Sequence, residues 1–134
     1  MSKYTLSQLI NRIIEVEEYT ASSILESAKD DSPNILIDFI NGVGERVRML
    51  SEVKTNMVIE MTLEPITGID INGYLETITS YRREAGPIQT IEILRHYITL
   101  YKKIMDKVYE VSIDLYNLLY RFIRDATRVL SELE

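Results

Sequence analysis

The sequence predicts an all-α protein: an up-and-down helical bundle of four helices that ends in a very long C-terminal helix. Two observations lead to this prediction. Apolar residues recur at helical spacing in four successive segments. No segment alternates apolar and polar residues, as a half-buried strand would. The 134 residues are enough to bury one core, and we expect a single domain over 1–134.

The first two helices are predicted over 6–28 and 34–63. Pro33 suits the first position of the second helix, because its fixed φ is helical and its missing N–H would be unbonded there in any case. Gly42 and Gly44 fall inside the apolar pattern of this helix. Each costs about 1 kcal/mol relative to Ala. They therefore indicate a kink or a close approach of two helices.

The third helix is predicted over 71–84, and Gly86-Pro87 separates it from the fourth, over 88–133. The fourth segment keeps a seven-residue apolar repeat that only Ser112 interrupts, and it contains no Gly or Pro after Pro87. A single helix of this kind is on the order of 70 Å long, at about 1.5 Å per residue. It would be far longer than its three neighbours.

The excess length of the fourth helix predicts self-association. The shorter helices cover its first half, and its far half keeps a strongly apolar stripe that soluble monomers seldom expose. We therefore expect a symmetric homodimer in which these halves meet. The predicted interface comprises Leu115, Leu119, Phe122, Val129 and Leu133. Two alternatives remain: the first helix covers this half, or the fourth helix bends.

Composition restricts the class of protein. The chain has no cysteine, which excludes disulfides and thiolate metal sites. Its net charge of −6 disfavours general nucleic-acid binding. It shows no signal peptide and no apolar run of membrane-spanning length, so we expect a cytoplasmic protein. Abundant Ile and Tyr, with little Gln, His or Ala, give a thermophile-like composition.

Glu17 is the most informative charged residue, because it lies near the centre of the first helix's apolar stripe. A carboxylate there is costly unless it is paired. In two antiparallel helices joined near residue 31, position 17 lies level with about position 45. The sequence therefore predicts a buried ion pair between Glu17 and Arg46. A carboxylate ligand or general base at Glu17 is the alternative.

No motif indicates catalysis or a cofactor. His96 follows Glu92 by four residues on the polar face of the fourth helix, whereas a di-iron bundle uses Glu-x-x-His twice with two more inward glutamates. Basic residues on helix surfaces leave a nucleic-acid contact as a second hypothesis, provided other subunits add positive charge. The candidate contacts are Arg82, Arg83, Arg121, Arg124 and Arg128.

These observations favour a non-catalytic helical interaction or scaffold protein that self-associates through its long C-terminal helix. A different protein, instead of a second copy, could also cover that helix. The first alternative function is a small helical subunit of a nucleic-acid-handling complex. The second is a carboxylate-metal helical-bundle enzyme centred on Glu17. The sequence indicates no cofactor and identifies no particular partner.

Overall fold

The computed structural model describes residues 3–27, 32–56, 65–82 and 86–134, and this part of the chain is all-helical. Its helices are α1 (Leu6–Ser27), α2 (Asn34–Asn41), α3 (Val43–Thr55), α4 (Ile71–Arg82), α5 (Pro87–Val108) and α6 (Ile113–Leu133). The described residues contain no β-strand. Tyr4 and Ile66 form an isolated antiparallel bridge through two backbone hydrogen bonds of 2.9 and 2.8 Å.

Four rods form a closed ring around the core. Helices α2 and α3 make one rod, because the helical hydrogen bonds Gly42 N–Asp38 O and Arg46 N–Gly42 O continue across the interruption at Gly42. Helix α1 packs on this rod, the rod on α6, α6 on α5, and α5 on α1. Helix α4 lies outside the ring, against α1 and α5.

Neighbouring rods of the ring run antiparallel. Lys54, near the end of α3, donates a 2.9 Å hydrogen bond to Asn11, near the start of α1. Arg95, near the start of α5, donates a 2.7 Å hydrogen bond to Glu134, which follows α6. The arrangement is therefore up-and-down, with the middles of α1, α3, α5 and α6 facing one core.

The predicted single helix over 88–133 is wrong. The chain turns after Val108, and α6 begins at Ile113 and runs back along α5. Ser112 is the N-cap of α6, with an extended backbone (φ −151°, ψ 104°), and its hydroxyl accepts a hydrogen bond from Leu115 N at 3.2 Å. The Ser112 hydroxyl thus supplies an acceptor for a backbone N–H in the first turn of α6, where no helical carbonyl is available. The apolar repeat continues unchanged because both helices of the hairpin face the same core.

The other predicted helices differ mainly at their ends. Helix α3 ends at Thr55, with Asn56 as its C-cap. Helix α1 ends at Ser27 and α4 at Arg82, close to the predicted ends. The remaining predicted positions, 28, 57–63 and 83–84, lie outside the described residues.

The hairpin also removes the reason for the predicted dimer interface. Leu115, Leu119, Phe122 and Val129 are buried within one chain, and Leu133 is partly buried against the same core. The expectation that the far half of the C-terminal segment lacks cover is therefore wrong. Because α6 folds back, its apolar stripe meets α5, α2 and α3 of its own chain.

Candidate functional site

The middle of the bundle contains a buried polar cluster centred on Glu17, whose residue is only 1% exposed. Arg46 Nε donates to one carboxylate oxygen of Glu17, Oε1. The hydroxyls of Tyr97 and Tyr101 both donate to the other oxygen, Oε2, at 2.5 Å. Both carboxylate oxygens thus have charged or hydroxyl donors, which offsets much of the cost of burying the charge. The register prediction placed Glu17 and Arg46 together, and the structure brings them into contact.

The spacing of Tyr97 and Tyr101 along α5 positions their two hydroxyls. Tyr97 and Tyr101 lie one helical turn apart, so both side chains point towards α1. Their ring centroids are 4.2 Å apart, and the Tyr97 ring also meets Phe39 edge-on at 5.7 Å. Burial, reinforced by the negative charge of Glu17, raises the pKa of both tyrosines well above the usual value. Both therefore remain neutral hydrogen-bond donors at ordinary pH.

Arg46 is held from two sides. Its guanidinium carbon lies 4.3 Å from the centroid of the Phe39 ring, an interaction that favours the cation. Burial lowers the pKa of Arg46, but the charge and the hydrogen bond of Glu17, together with Tyr97 and Tyr101, outweigh this effect, so the pKa lies above its usual value. Gly42 provides space for the side chain, because a Cβ at Gly42 would lie 2.9 Å from Arg46 Nη1. Arg46 is therefore a fixed, charged partner of Glu17.

A cleft of about 380 Å³ opens beside this cluster, between the α2–α3 rod and α6. Phe39 and Arg46 line its inner side, and Asp38, Asp125 and Arg128 lie among its other lining residues. Acids and bases are mixed there, so the charges do not select an anion or a cation. Glu17 does not line the cleft. The cluster is consequently closed to a ligand at its carboxylate, and its chemistry is that of a structural ion pair.

The structure separates the candidate nucleic-acid contacts. Arg82 lies on α4, where it donates to both carboxylate oxygens of Glu26 on α1. Arg121, Arg124 and Arg128 are exposed on α6, and α6 packs on α5, α2 and α3 without touching α4. Arg83 lies outside the described residues. The arginines of α4 and α6 therefore lie on helices that do not contact each other.

A metal site receives no geometric support within the ranges that the structure describes, because no three His, Asp or Glu side chains there approach closely enough to share an ion. The His96 ring packs beside Tyr81 at 5.7 Å, and Glu92 accepts a hydrogen bond from Arg95. Among the same residues, no helix combines the length and apolar character needed to cross a membrane.

Apolar side chains remain exposed at the turn between α5 and α6. Tyr109, Ile113 and Tyr120 are 59%, 55% and 56% exposed. Tyr116 is half-buried, and its ring meets that of Tyr109 edge-on at 5.1 Å. We call these four residues the hinge patch. These residues lie on the exposed side of the C-terminal segment, whereas the residues of the predicted dimer interface lie on its buried side.

The chain matches no family model, no curated protein and no solved structure.

Sequence reasoning missed the tyrosine donors and the hinge patch. Tyr97 and Tyr101 were not identified as partners of Glu17, yet the hydroxyls of both reach its carboxylate in the middle of the bundle. Two buried tyrosines four residues apart and a lone buried acid were the available signal. The hinge patch could not be recognised, because a straight helix leaves no turn at which it would be exposed.

Proposed function

We propose that this protein is a non-catalytic helical interaction protein that associates with a second copy of itself through its C-terminal hairpin, α5 and α6. The observation that supports this proposal is the hinge patch. Three large apolar side chains are more than half exposed at one end of one hairpin. Grouped exposure of this kind is typical of a contact surface, whereas single exposed apolar residues are common on any protein.

The chemistry of the hinge patch suits a protein partner. Three of its four members are tyrosines, which contribute a large apolar ring and a polar tip and are enriched in interfaces. Exposed Asp106 and Arg124 flank it on α5 and α6. A surface with both signs of charge beside an apolar centre is self-complementary, because a two-fold contact brings the acid of one copy towards the base of the other.

The buried cluster supports the non-catalytic part of the proposal. Both oxygens of Glu17 accept hydrogen bonds from side chains of the same bundle, and the carboxylate is shielded from solvent. A general base must reach a substrate proton directly or through one water. An acid enclosed in this way stabilises the fold instead.

The proposal is tested by measuring self-association of Tyr120→Glu by sedimentation from low to high micromolar concentration. A carboxylate within an apolar contact is costly, so we expect the variant to remain monomeric where the unmodified protein is dimeric. Leu25→Glu is the matched control, because Leu25 is 64% exposed. Ser27 O accepts a hydrogen bond from Gly86 N beside the start of α5, which places Leu25 at the opposite end of that 22-residue helix.

An unmodified protein that stays monomeric up to high micromolar concentration would overturn the proposal. Equal weakening of the dimer by both glutamate substitutions would do so too, because it would show a general effect of charge and not a contact at the hinge patch.

A further inference from the structure

The turn between α5 and α6 is close to a continuous helix. Tyr109 has helical backbone angles (φ −51°, ψ −45°). Ser112 N still donates to Val108 O at 2.9 Å, which is the helical i to i−4 bond. On the other side, Tyr116 N already donates to Ser112 O at 3.0 Å. Helical hydrogen bonds are thus present on both sides of Ser112. The chain reverses direction at the extended backbone of Ser112.

The sequence at this turn also permits a straight helix. Residues 109–112 are Tyr, Glu, Val and Ser, without Gly or Pro. The seven-residue repeat passes through them in phase, so the buried faces of α5 and α6 would lie on the same side of a straight rod. A turn that can become helical allows a terminal element to leave its own chain and occupy the same position in another copy.

We propose that α6 exchanges between two copies of this chain. This inference rests on the self-association proposed above and specifies how it occurs. The turn at Ser112 becomes helical, α5 and α6 form one rod, and each α6 packs on α2, α3 and α5 of the partner. Leu115, Leu119 and Phe122 stay as buried as in the monomer, but against the other chain. In this exchanged dimer, the residues that the sequence predicted as the interface lie between the two chains.

The hinge patch provides a contact that exists only in the exchanged dimer. On a straight helix its four residues lie within an arc of about 60°. Their spacing of four, three and four residues is symmetric. Two antiparallel rods that keep the register of the hairpin place Tyr109 against the partner's Tyr116, because these two rings already meet within one chain. The same register brings the Ile113 side chains of the two copies close to each other at the two-fold axis. Burial of these side chains favours the dimer, while the monomer leaves three of them more than half exposed.

The test compares two substitutions at Ile113, the first residue of α6. Ile113→Pro fits the hairpin, because Pro suits the first helical position and Ser112 before it is already extended. In a straight rod the same Pro lacks the N–H that bonds Tyr109 O and clashes with that carbonyl. Ile113→Ala removes the same side chain without this constraint. We expect Ile113→Pro to weaken dimerisation by more than about a hundredfold relative to Ile113→Ala.

A substitution at the cap should act in the opposite direction. Ser112→Ala removes the hydroxyl that accepts from Leu115 N, and Ala favours the helical backbone. The hairpin loses its cap and the straight rod gains a good helix former. We expect the dimer to be favoured by at least about fivefold. An unchanged or weakened dimer would contradict the proposal.

Cross-linking distinguishes exchange from simple contact. Arg95 and Glu134 form an ion pair across the hairpin, and the chain has no cysteine. In Arg95→Cys/Glu134→Cys, a short bismaleimide joins the two positions. We expect cross-links within one chain in the monomer fraction and between chains in the dimer fraction, separated on denaturing gels.

Dimers cross-linked only within single chains would overturn the exchange and leave the proposed function standing. Equal dimerisation of Ile113→Pro and Ile113→Ala would have the same meaning. Monomers in every variant, Ser112→Ala included, would overturn both proposals.

Discussion

Gly42 and Arg46 are fitted to each other: a Cβ at position 42 would lie 2.9 Å from Arg46 Nη1 and 3.3 Å from Asp38 O. Arg46 cannot move away freely, because its Nε is bound to Glu17 and its guanidinium lies over Phe39. The interruption between α2 and α3 therefore coincides with a position that must remain small if the buried ion pair is to form.

Gly42→Ala should lower the free energy of unfolding by about 1–2 kcal/mol, because the clash with the held guanidinium exceeds the gain in helix propensity. Gly44→Ala is the matched control. A Cβ at Gly44 meets nothing within 4 Å, so this variant should gain about 1 kcal/mol. Urea unfolding measures both. Equal stabilisation by the two alanines would show that Arg46 is not confined by Gly42.

Glu17→Gln should lower the free energy of unfolding by about 3–5 kcal/mol, because it leaves the buried guanidinium of Arg46 without its counter-charge. Glu45→Gln provides the comparison: its partner Arg48 is half exposed, so the loss of this surface pair should change stability little. Adding Arg46→Met to Glu17→Gln should recover part of the loss. Chemical denaturation would refute the assignment if Glu17→Gln cost no more than the surface variant.

Tyr97→Phe and Tyr101→Phe should each lower the free energy of unfolding by about 1.5–3 kcal/mol, since each removes a hydrogen bond to a buried carboxylate. The two losses should not add, because both hydroxyls share Oε2 of Glu17. Tyr109→Phe, at a ring that is 59% exposed, should change stability little. Thermal unfolding of the three variants and the double variant tests this. Fully additive losses would argue against a shared acceptor.

Stability should fall as pH rises above about 10. The pKa of Tyr97 and Tyr101 is raised in the fold by burial and by Glu17, whereas tyrosine in the unfolded chain ionises near about 10. Above that value the unfolded state releases protons that the folded state retains, so unfolding becomes more favourable. Burial likewise raises the pKa of Tyr74.

The alkaline loss of stability should be smaller in the double variant Tyr97→Phe/Tyr101→Phe, which lacks two of these groups. Unfolding midpoints measured from pH 8 to 11 give the comparison, with each protein referred to its own value at pH 8. A double variant with the same alkaline slope as the unmodified protein would assign the effect to other residues.

The helices could be predicted from the sequence wherever local patterns determine them. Pro33 and the Gly86-Pro87 pair lie at the helix starts that they indicated, whereas Gly42 lies inside a predicted single helix, where a kink or a close approach was expected and the structure has an interruption. The hairpin at 109–112 could not be predicted in the same way, because the apolar repeat is the same in a straight helix and in two antiparallel helices that face one core. Ser112 was the only local sign, and a single Ser also occurs inside helices.

The candidate site was predictable in part for a similar reason. Glu17 and Arg46 follow from the register of two helices joined by a short turn. The donors Tyr97 and Tyr101 are 80 and 84 residues from Glu17, and their contact depends on how α5 is rotated against α1. Neither periodicity nor spacing determines that rotation, because both tyrosines are buried whether or not their hydroxyls point at Glu17.

The separation between Glu17 and its tyrosine donors also has a consequence for synthesis on the ribosome. Helix α1 and the α2–α3 rod are translated before α5, so the Arg46 side of the Glu17 carboxylate is available first. The other oxygen, Oε2, gains its two donors only after some eighty further residues have been added. The polar cluster is therefore completed only when α5 joins the helices that precede it.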